Sequence, residues 1–356
     1  MLKSSCSQKS SSPHIRKTLF KYSFLVATCL LLPLTSLFSA ELPIIRISVE
    51  NTASHVQTQA VEKFAKALQQ NLAGTYEIQF FPAASLFKDS DIFGALSQGK
   101  VEIAVPGTWQ FDRYIPEVGL FLLPSLYGKK AITTYNLMQS PLGEKIITAI
   151  ENSMDVKILG RWIDLGYIQV FSTEKPIRNQ KDYIGKLIRV AGGKGNVFRL
   201  ETLGAKAVSI AWTDLPLALS RSKVDGILTS YESVASARLW EYGIKQVYED
   251  NQYFAQYVPI ISAPFWSRLP KEVQQTLLTT WDSIVDQERF DAKYAQAIAK
   301  EKIRAKNIAI KVPPEKEIQE TRDRLLLTEK ETATKLGIPT ETYALLKQFF
   351  LEQETL

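Results

Sequence analysis

Residues 44–105 read IIRISVENTASHVQTQAVEKFAKALQQNLAGTYEIQFFPAASLFKDSDIFGALSQGKVEIAV, and the order of patterns in this stretch decides the fold class. IIRISVE, residues 44–50, is a run rich in β-branched residues and reads as a strand. After NTASH, the residues Val56, Ala60, Phe64 and Leu68 recur every fourth position, so they share one face of a helix that Gly74 can stop. YEIQFF, residues 76–81, reads as the next strand, and the loop PAASLFKDSD follows it. A short helix over 91–98 ends at Gly99, and VEIAV, residues 101–105, is a third strand. Strand, helix, strand, helix, strand is the signature of a parallel α/β layer.

Working outward, the same architecture returns after residue 155. KLIRVA, residues 186–191, reads as a strand, and GGKGN, residues 192–196, opens a helix running to about Leu203. A short strand over 206–210 follows, and Thr213 suits the N-cap of a helix over 214–222. KVDGILT, residues 223–229, is another strand. A helical tract starts at Leu269-Pro270, where proline is favoured at the first helical position. It carries Val273, Leu277, Trp281, Ile284, Val285 and Phe290 in apolar rhythm to about Arg304. This tract is either one helix long enough to brace two domains or two helices with a bend. Helical patterns over 315–335 and 340–353 close the chain. No linker rich in Gly, Pro or Ser separates the halves, so the chain is expected to cross between them more than once. One α/β domain is expected from 41–165 with about 255–290, the other from 166–254 with about 291–340, and 341–356 as a C-terminal helix.

The first 40 residues are unlike the rest. They contain Lys3, Lys9, Arg16, Lys17 and Lys21 and no acid, then the run SFLVATCLLLPLTSLFSA from Ser23 to Ala40. A basic start, an apolar stretch and small residues at the end describe a cleavable secretory signal. Pro33, Thr35, Ser36 and Ser39 argue against a stable membrane span, which needs about 20 apolar residues. Cleavage falls after Ala40 or Ser39, and Cys29 is a candidate for lipidation. The segment contributes +5 of the formal +6, leaving the remainder near +1, so a nucleic-acid or membrane-surface reading loses its support. Both cysteines, Cys6 and Cys29, also lie there. The rest of the 356-residue chain therefore has no disulfide, no thiol nucleophile and no thiolate metal site, and its single histidine is His55. A Cys/His zinc site cannot be built, and a Ser-His-Asp triad would have to use His55. No GxxxxGK[ST] phosphate cradle occurs. No metal and no cofactor are expected.

In open α/β layers ligands bind beyond the carboxyl ends of the strands. Arg189 stands in the otherwise apolar strand Leu187-Ile188-Arg189-Val190. A guanidinium there must reach solvent, an internal acid or a ligand, and it can hold a carboxylate by two parallel bonds. Trp212, just before the helix start, is a packing residue or a wall of the cleft. Thr229 ends a strand and can offer its hydroxyl.

At these residues the chain resembles the solute-binding subunit of tripartite ATP-independent periplasmic (TRAP) transporters, of the dicarboxylate and sialic-acid type. The resemblance runs over about 44–340. It rests on Phe64-Ala65-Lys66, the FPAASL loop at 81–86, Gln98-Gly99-Lys100-Val101-Glu102, and Leu122-Leu123-Pro124-Ser125-Leu126-Tyr127. It continues through Lys175-Pro176-Ile177, Gly185-Lys186-Leu187-Ile188-Arg189-Val190, and Leu203 to Val208, then Trp212, Asp214, Ala218-Leu219 and Val224-Asp225-Gly226. Each piece is weak; their order and spacing are specific. The resemblance implies an α/β, two-domain, type II-like periplasmic-binding-protein fold, with a long helix spanning both domains. It makes Arg189 the ligand's carboxylate clamp. It also marks departures. Gln169 stands where the family often has a second arginine, Thr229 where it often has Asn, and Gly107 where some sialic-acid binders have glutamate. Glu50, Asp89 and His55 fall near the cleft edge, His55 reading as an exposed residue at a helix start. A neutral Gln169 favours a monocarboxylate over a dicarboxylate.

The function expected is that of an exported, periplasmic protein, not an enzyme. It would capture a small organic acid by domain closure and deliver it to the integral membrane subunits of a transporter. The alternatives are a ligand-presenting sensor subunit for a receptor kinase, a hydrolase built on two cleft carboxylates, and a homologue that has lost small-molecule binding.

Overall fold

A computed structural model describes residues 41–354. The signal segment, its cleavage point, Cys6 and Cys29 lie outside the described residues. The strands are β1 (Ile44–Ser48), β2 (Glu77–Phe81), β3 (Ile103–Ala104), β4 (Val156–Ile158), β5 (Ile163–Tyr167), β6 (Gln169–Ser172) and β7 (Leu187–Val190). They continue with β8 (Lys206–Ser209), β9 (Gly226–Thr229), β10 (Gln246–Tyr248), β11 (Phe254–Tyr257), β12 (Ile260–Ser262) and β13 (Ala309–Lys311).

Two separate sheets form, one in the order β2-β1-β3-β12-β4 and the other in the order β13-β10-β6-β9-β7-β8. The parallel cores anticipated from sequence are present: β1 pairs in parallel with β2 and β3, and β7 with β8 and β9. Both sheets are nevertheless mixed. Strand β12 is antiparallel to β3 and β4, and β6 is antiparallel to β9 and β10. These added strands lie next to the places where the chain passes from one sheet to the other. A strand that enters a sheet without a covering crossover helix is free to run antiparallel. Between the sheets, β5 and β11 form an antiparallel ribbon of their own, with its register broken between Ala255 and Gln256.

The helix Val56–Asn71 packs its apolar face on the first sheet, with Val61, Phe64 and Leu68 fully buried beside Ile45 and Ile47. The tract after Pro270 is one uninterrupted helix, Lys271–Ala305, of 35 residues, not two with a bend. It touches Val56–Asn71 on one side, β5 in the middle and the helix Tyr231–Ser236 beside the second sheet. It therefore spans both domains. Trp281 anchors it: the indole is fully buried, meets Phe64 edge-on at 5.2 Å and donates to Arg161 O at 2.9 Å. Phe290 breaks the anticipated stripe and is 66% exposed. A straight helix of this length drifts out of register with any single buried face.

Other boundaries move. The helix expected over 214–222 begins as a 3₁₀ turn at Trp212–Asp214 and continues as Leu215–Ser220, so Asp214, not Thr213, is its N-cap residue. The tract 315–335 divides into Glu315–Leu326 and Glu329–Leu336.

Candidate ligand-binding site

Three parallel strands of the first sheet and three of the second end toward one another. Glu50 lies two residues beyond β1, Asp89 in the loop after β2, and Trp109 in the turn after β3. From the other side come Arg189 within β7, Trp212 after β8 and Thr229 at the last position of β9. All six line one cavity, with Tyr253 and Tyr257 of the connecting segments and the apolar side chains of Leu165, Ile168 and Leu228. This is where ligands sit in open α/β layers.

The local chain builds the site for identifiable reasons. The loop after β2 holds Ala83 and Ala84 in the left-handed region, at φ 56° and 52°, a conformation that costs free energy for residues with a side chain. Their N–H groups donate to Asn51 O at 2.8 Å and Val49 O at 3.0 Å, which ties this loop to the end of β1. Gly193 follows β7 with φ 88°, and a Cβ there would lie 3.0 Å from Trp109 O and Leu122 Cδ1. Glycine lets the two sides approach at that point.

Arg189 is 1% exposed. Its Nε donates to Ile210 O at 2.8 Å, and its guanidinium lies over the Trp212 ring at 5.8 Å. Its Nη2 is buried with no hydrogen-bond partner. Burial lowers its pKa to about 10, against the pull of Asp89, Glu50 and Tyr253. No carboxylate of the described residues makes a direct ion pair with it. Glu50 accepts from Gln110 Nε2 at 2.6 Å, and its pKa is pushed up to about 8, first by burial and then by Asp89. Asp89 is 5% exposed and accepts the Trp212 N–H on its two oxygens at 3.3 and 3.2 Å. Burial also raises the pKa of Asp89, while the Trp212 N–H and Arg189 oppose the shift.

Of the residues singled out in the sequence, Gln169 and Gly107 do not line the cavity. Gln169 lies opposite Thr229 in the β6–β9 ladder, but its amide is committed to Asn251. It donates to Asn251 Oδ1 at 2.6 Å and accepts from Asn251 N at 2.8 Å. Gly107 acts from behind: a Cβ there would lie 2.3 Å from the Trp109 ring, so the missing side chain is what allows the indole to reach the cavity. His55 caps the helix Val56–Asn71, with Nδ1 accepting from Gln57 N at 3.2 Å. It is not the exposed residue anticipated; it is fully buried, with Nε2 at 2.9 Å from Glu232, which lies just after β9. The cause is tertiary: the helix start is covered by the opposite side of the cleft. Reading the sequence missed Asn51, Trp109, Asn196, Tyr253 and Tyr257. Asn51 Nδ2 donates to Tyr257 Oη at 2.8 Å, and Asn196 Nδ2 to Tyr253 Oη at 3.3 Å. The only available signal was the aromatic spacing in YFAQY, residues 253–257, which suits packing equally well.

The cavity is about 30 Å³, against roughly 300–1,000 Å³ for small-molecule pockets. The two sides meet over it through Asp89 and Trp212, through an exposed Lys88–Asp214 pair at 3.0 Å, and through His55 and Glu232. A larger hollow of about 700 Å³ lies outside, between Ser54, Arg238 and Lys302. The buried carboxyl group at its wall, that of Glu232, already lies 2.9 Å from His55 Nε2. Among the described residues no group of acids and histidine could hold a metal ion, and no helix is long and apolar enough to cross a membrane.

Two α/β domains joined by crossing segments, with charged and aromatic side chains converging between them, define a solute-binding protein of the two-domain class. Residues 47–334 match the family described as bacterial extracellular solute-binding protein, family 7, and the chain belongs to that family. It is 24% identical over 249 residues to a C4-dicarboxylate-binding periplasmic protein, DctP, of Shewanella loihica, covering 69% of this chain and 70% of that one. Among solved structures it is similar to a TRAP periplasmic solute-binding protein of Shewanella oneidensis with bound succinate. That match has a TM-score of 0.77 at 20% identity and covers 85% of this chain and 97% of the other. It is also similar to the sugar-acid-binding protein DctPAm of Advenella mimigardefordensis in complex with galactonate. Here the TM-score is 0.80 at 19% identity, over 86% of this chain and 98% of the other.

Proposed function

We propose that this chain captures a small organic acid in the periplasm, with Arg189 holding the ligand's carboxylate, and hands it to integral membrane transporter subunits of the TRAP type. The observation that carries the reading is the buried Arg189 Nη2, which lacks a hydrogen-bond partner at the carboxyl ends of both parallel strand sets. A buried guanidinium with an unmet donor is costly unless a further acceptor joins it. A carboxylate supplies that acceptor with matching geometry. The relatives named for C4-dicarboxylates and the similar structures holding succinate and galactonate support an acid as cargo.

The mechanism proposed is closure of two domains about the crossing segments. In an open form the cavity walls separate and expose Arg189. Closure brings Asp89 to the Trp212 N–H and removes water, which strengthens the guanidinium–carboxylate pairing. The small cavity and the contacts across it fit the closed end of this motion. The chain itself is proposed to carry out no chemistry on its ligand.

Thermal unfolding of the purified protein against a panel of small carboxylic acids tests this, beside Arg189→Ala. A ligand at one hundred times its dissociation constant adds about 2.7 kcal/mol. At roughly 2 °C per kcal/mol for a chain this large, the midpoint rises by about 5 °C. The rise is expected in wild type and absent in Arg189→Ala. An equal rise in both would remove Arg189 as the clamp.

A further inference from the structure

The cavity holds more acid than base. Of the described side chains that line it, Arg189 is the one cation, while Glu50 and Asp89 are both carboxylic acids. Neither acid is consumed by Arg189. Glu50 uses one oxygen on Gln110, and Asp89 uses its oxygens on the backbone N–H groups of Trp212, Asp89 and Ser90. Each carboxylate offers several lone-pair sites, so acceptor capacity is left on both. The Arg189 Nη2 donor is left as well. The unmet donor and the two acids thus face one small space from different walls.

A plain carboxylate placed on Arg189 would add negative charge beside a buried Asp89 and a part-buried Glu50, whose pKa Asp89 already raises. A dicarboxylate would add twice as much, and Gln169, tied to Asn251, brings no compensating cation. Like charges at close quarters in a desolvated site are strongly unfavourable. A ligand that carries its own cation removes the conflict. Its cationic nitrogen can bond the free lone pairs of Glu50 and Asp89 and lie against the faces of Trp109 and Trp212, which attract cations.

We infer that the cargo is a zwitterion, with one carboxylate for Arg189 and one cationic nitrogen for Glu50 and Asp89, an α-amino acid being the simplest form. This rests on the capture reading above and narrows its substrate class. Leu165, Ile168 and Leu228 leave an apolar wall for the remainder of the ligand.

Matched pairs test it by calorimetry on the purified protein: alanine against propanoate, leucine against 4-methylpentanoate, aspartate against succinate. At least one amino acid is expected to bind tenfold or more tightly than its deaminated partner. That preference should fall about tenfold in both Glu50→Gln and Asp89→Asn, and Arg189→Ala should lose both partners. Deaminated acids that bind as tightly as their amino acids, or more tightly, in every pair that binds overturn the zwitterion while leaving carboxylate capture intact. A preference unchanged in the two acid variants also overturns it. If no acid and no amino acid binds folded wild-type protein, the capture reading fails and this inference fails with it.

Discussion

Replacing Glu50 by glutamine is expected to stabilise the protein, and to do so only where the carboxyl would otherwise ionise. The glutamine keeps an oxygen for the Gln110 amide that Glu50 accepts at 2.6 Å. What it removes is the charge. In the folded protein the Glu50 pKa is raised from 4.5 to about 8. The folded state therefore binds this proton more tightly than the unfolded chain does. Stability is fully present below pH 4.5 and is lost as pH rises through 8. At about 1.4 kcal/mol per pH unit, the loss is near 3 kcal/mol at pH 7 before screening. Screening of a carboxyl that is not wholly enclosed leaves an expected gain of about 1–3 kcal/mol. Thermal unfolding should show Glu50→Gln and wild type together at pH 4. The gap should widen to roughly 2–6 °C in favour of the variant by pH 8 and flatten beyond. A gap of the same size at pH 5 and pH 9, or a variant less stable at pH 8, would refute the reasoning. A side chain that costs stability at the pH of use is one that folding does not require, and the loss of zwitterion affinity in the same variant would show what it is kept for.

Gly107→Ala places a Cβ 2.3 Å from the Trp109 ring. It should cost about 1–3 kcal/mol by displacing the indole, weaken ligand binding, and appear both in urea unfolding and in tryptophan fluorescence. His55→Ala removes the N-cap acceptor of Val56–Asn71 and the partner of the buried Glu232. The two losses together should cost about 2–4 kcal/mol in urea unfolding. His55→Asn, which restores a capping oxygen, should recover about 1 kcal/mol of that.

The sequence by itself determined the alternation of strands and helices, because the period of apolar residues is a local property of the chain. It placed β1 to β3 and β7 to β9, the long helix after Pro270, and the awkward position of Arg189 in an apolar strand. Only the tertiary structure decided how the site is charged. Glu50, Asp89 and Arg189 carry no mutual spacing rule. They meet because two sheets point the carboxyl ends of their strands at one another, and that juxtaposition depends on the repeated crossing of the chain between them. The same packing turned His55 inward, committed Gln169 to Asn251, and made Gly107 the seat of an indole two residues away. A residue's partner across a cleft is fixed by the closure of two bodies, and the energy of that contact is set by burial, neither of which is written in the local pattern.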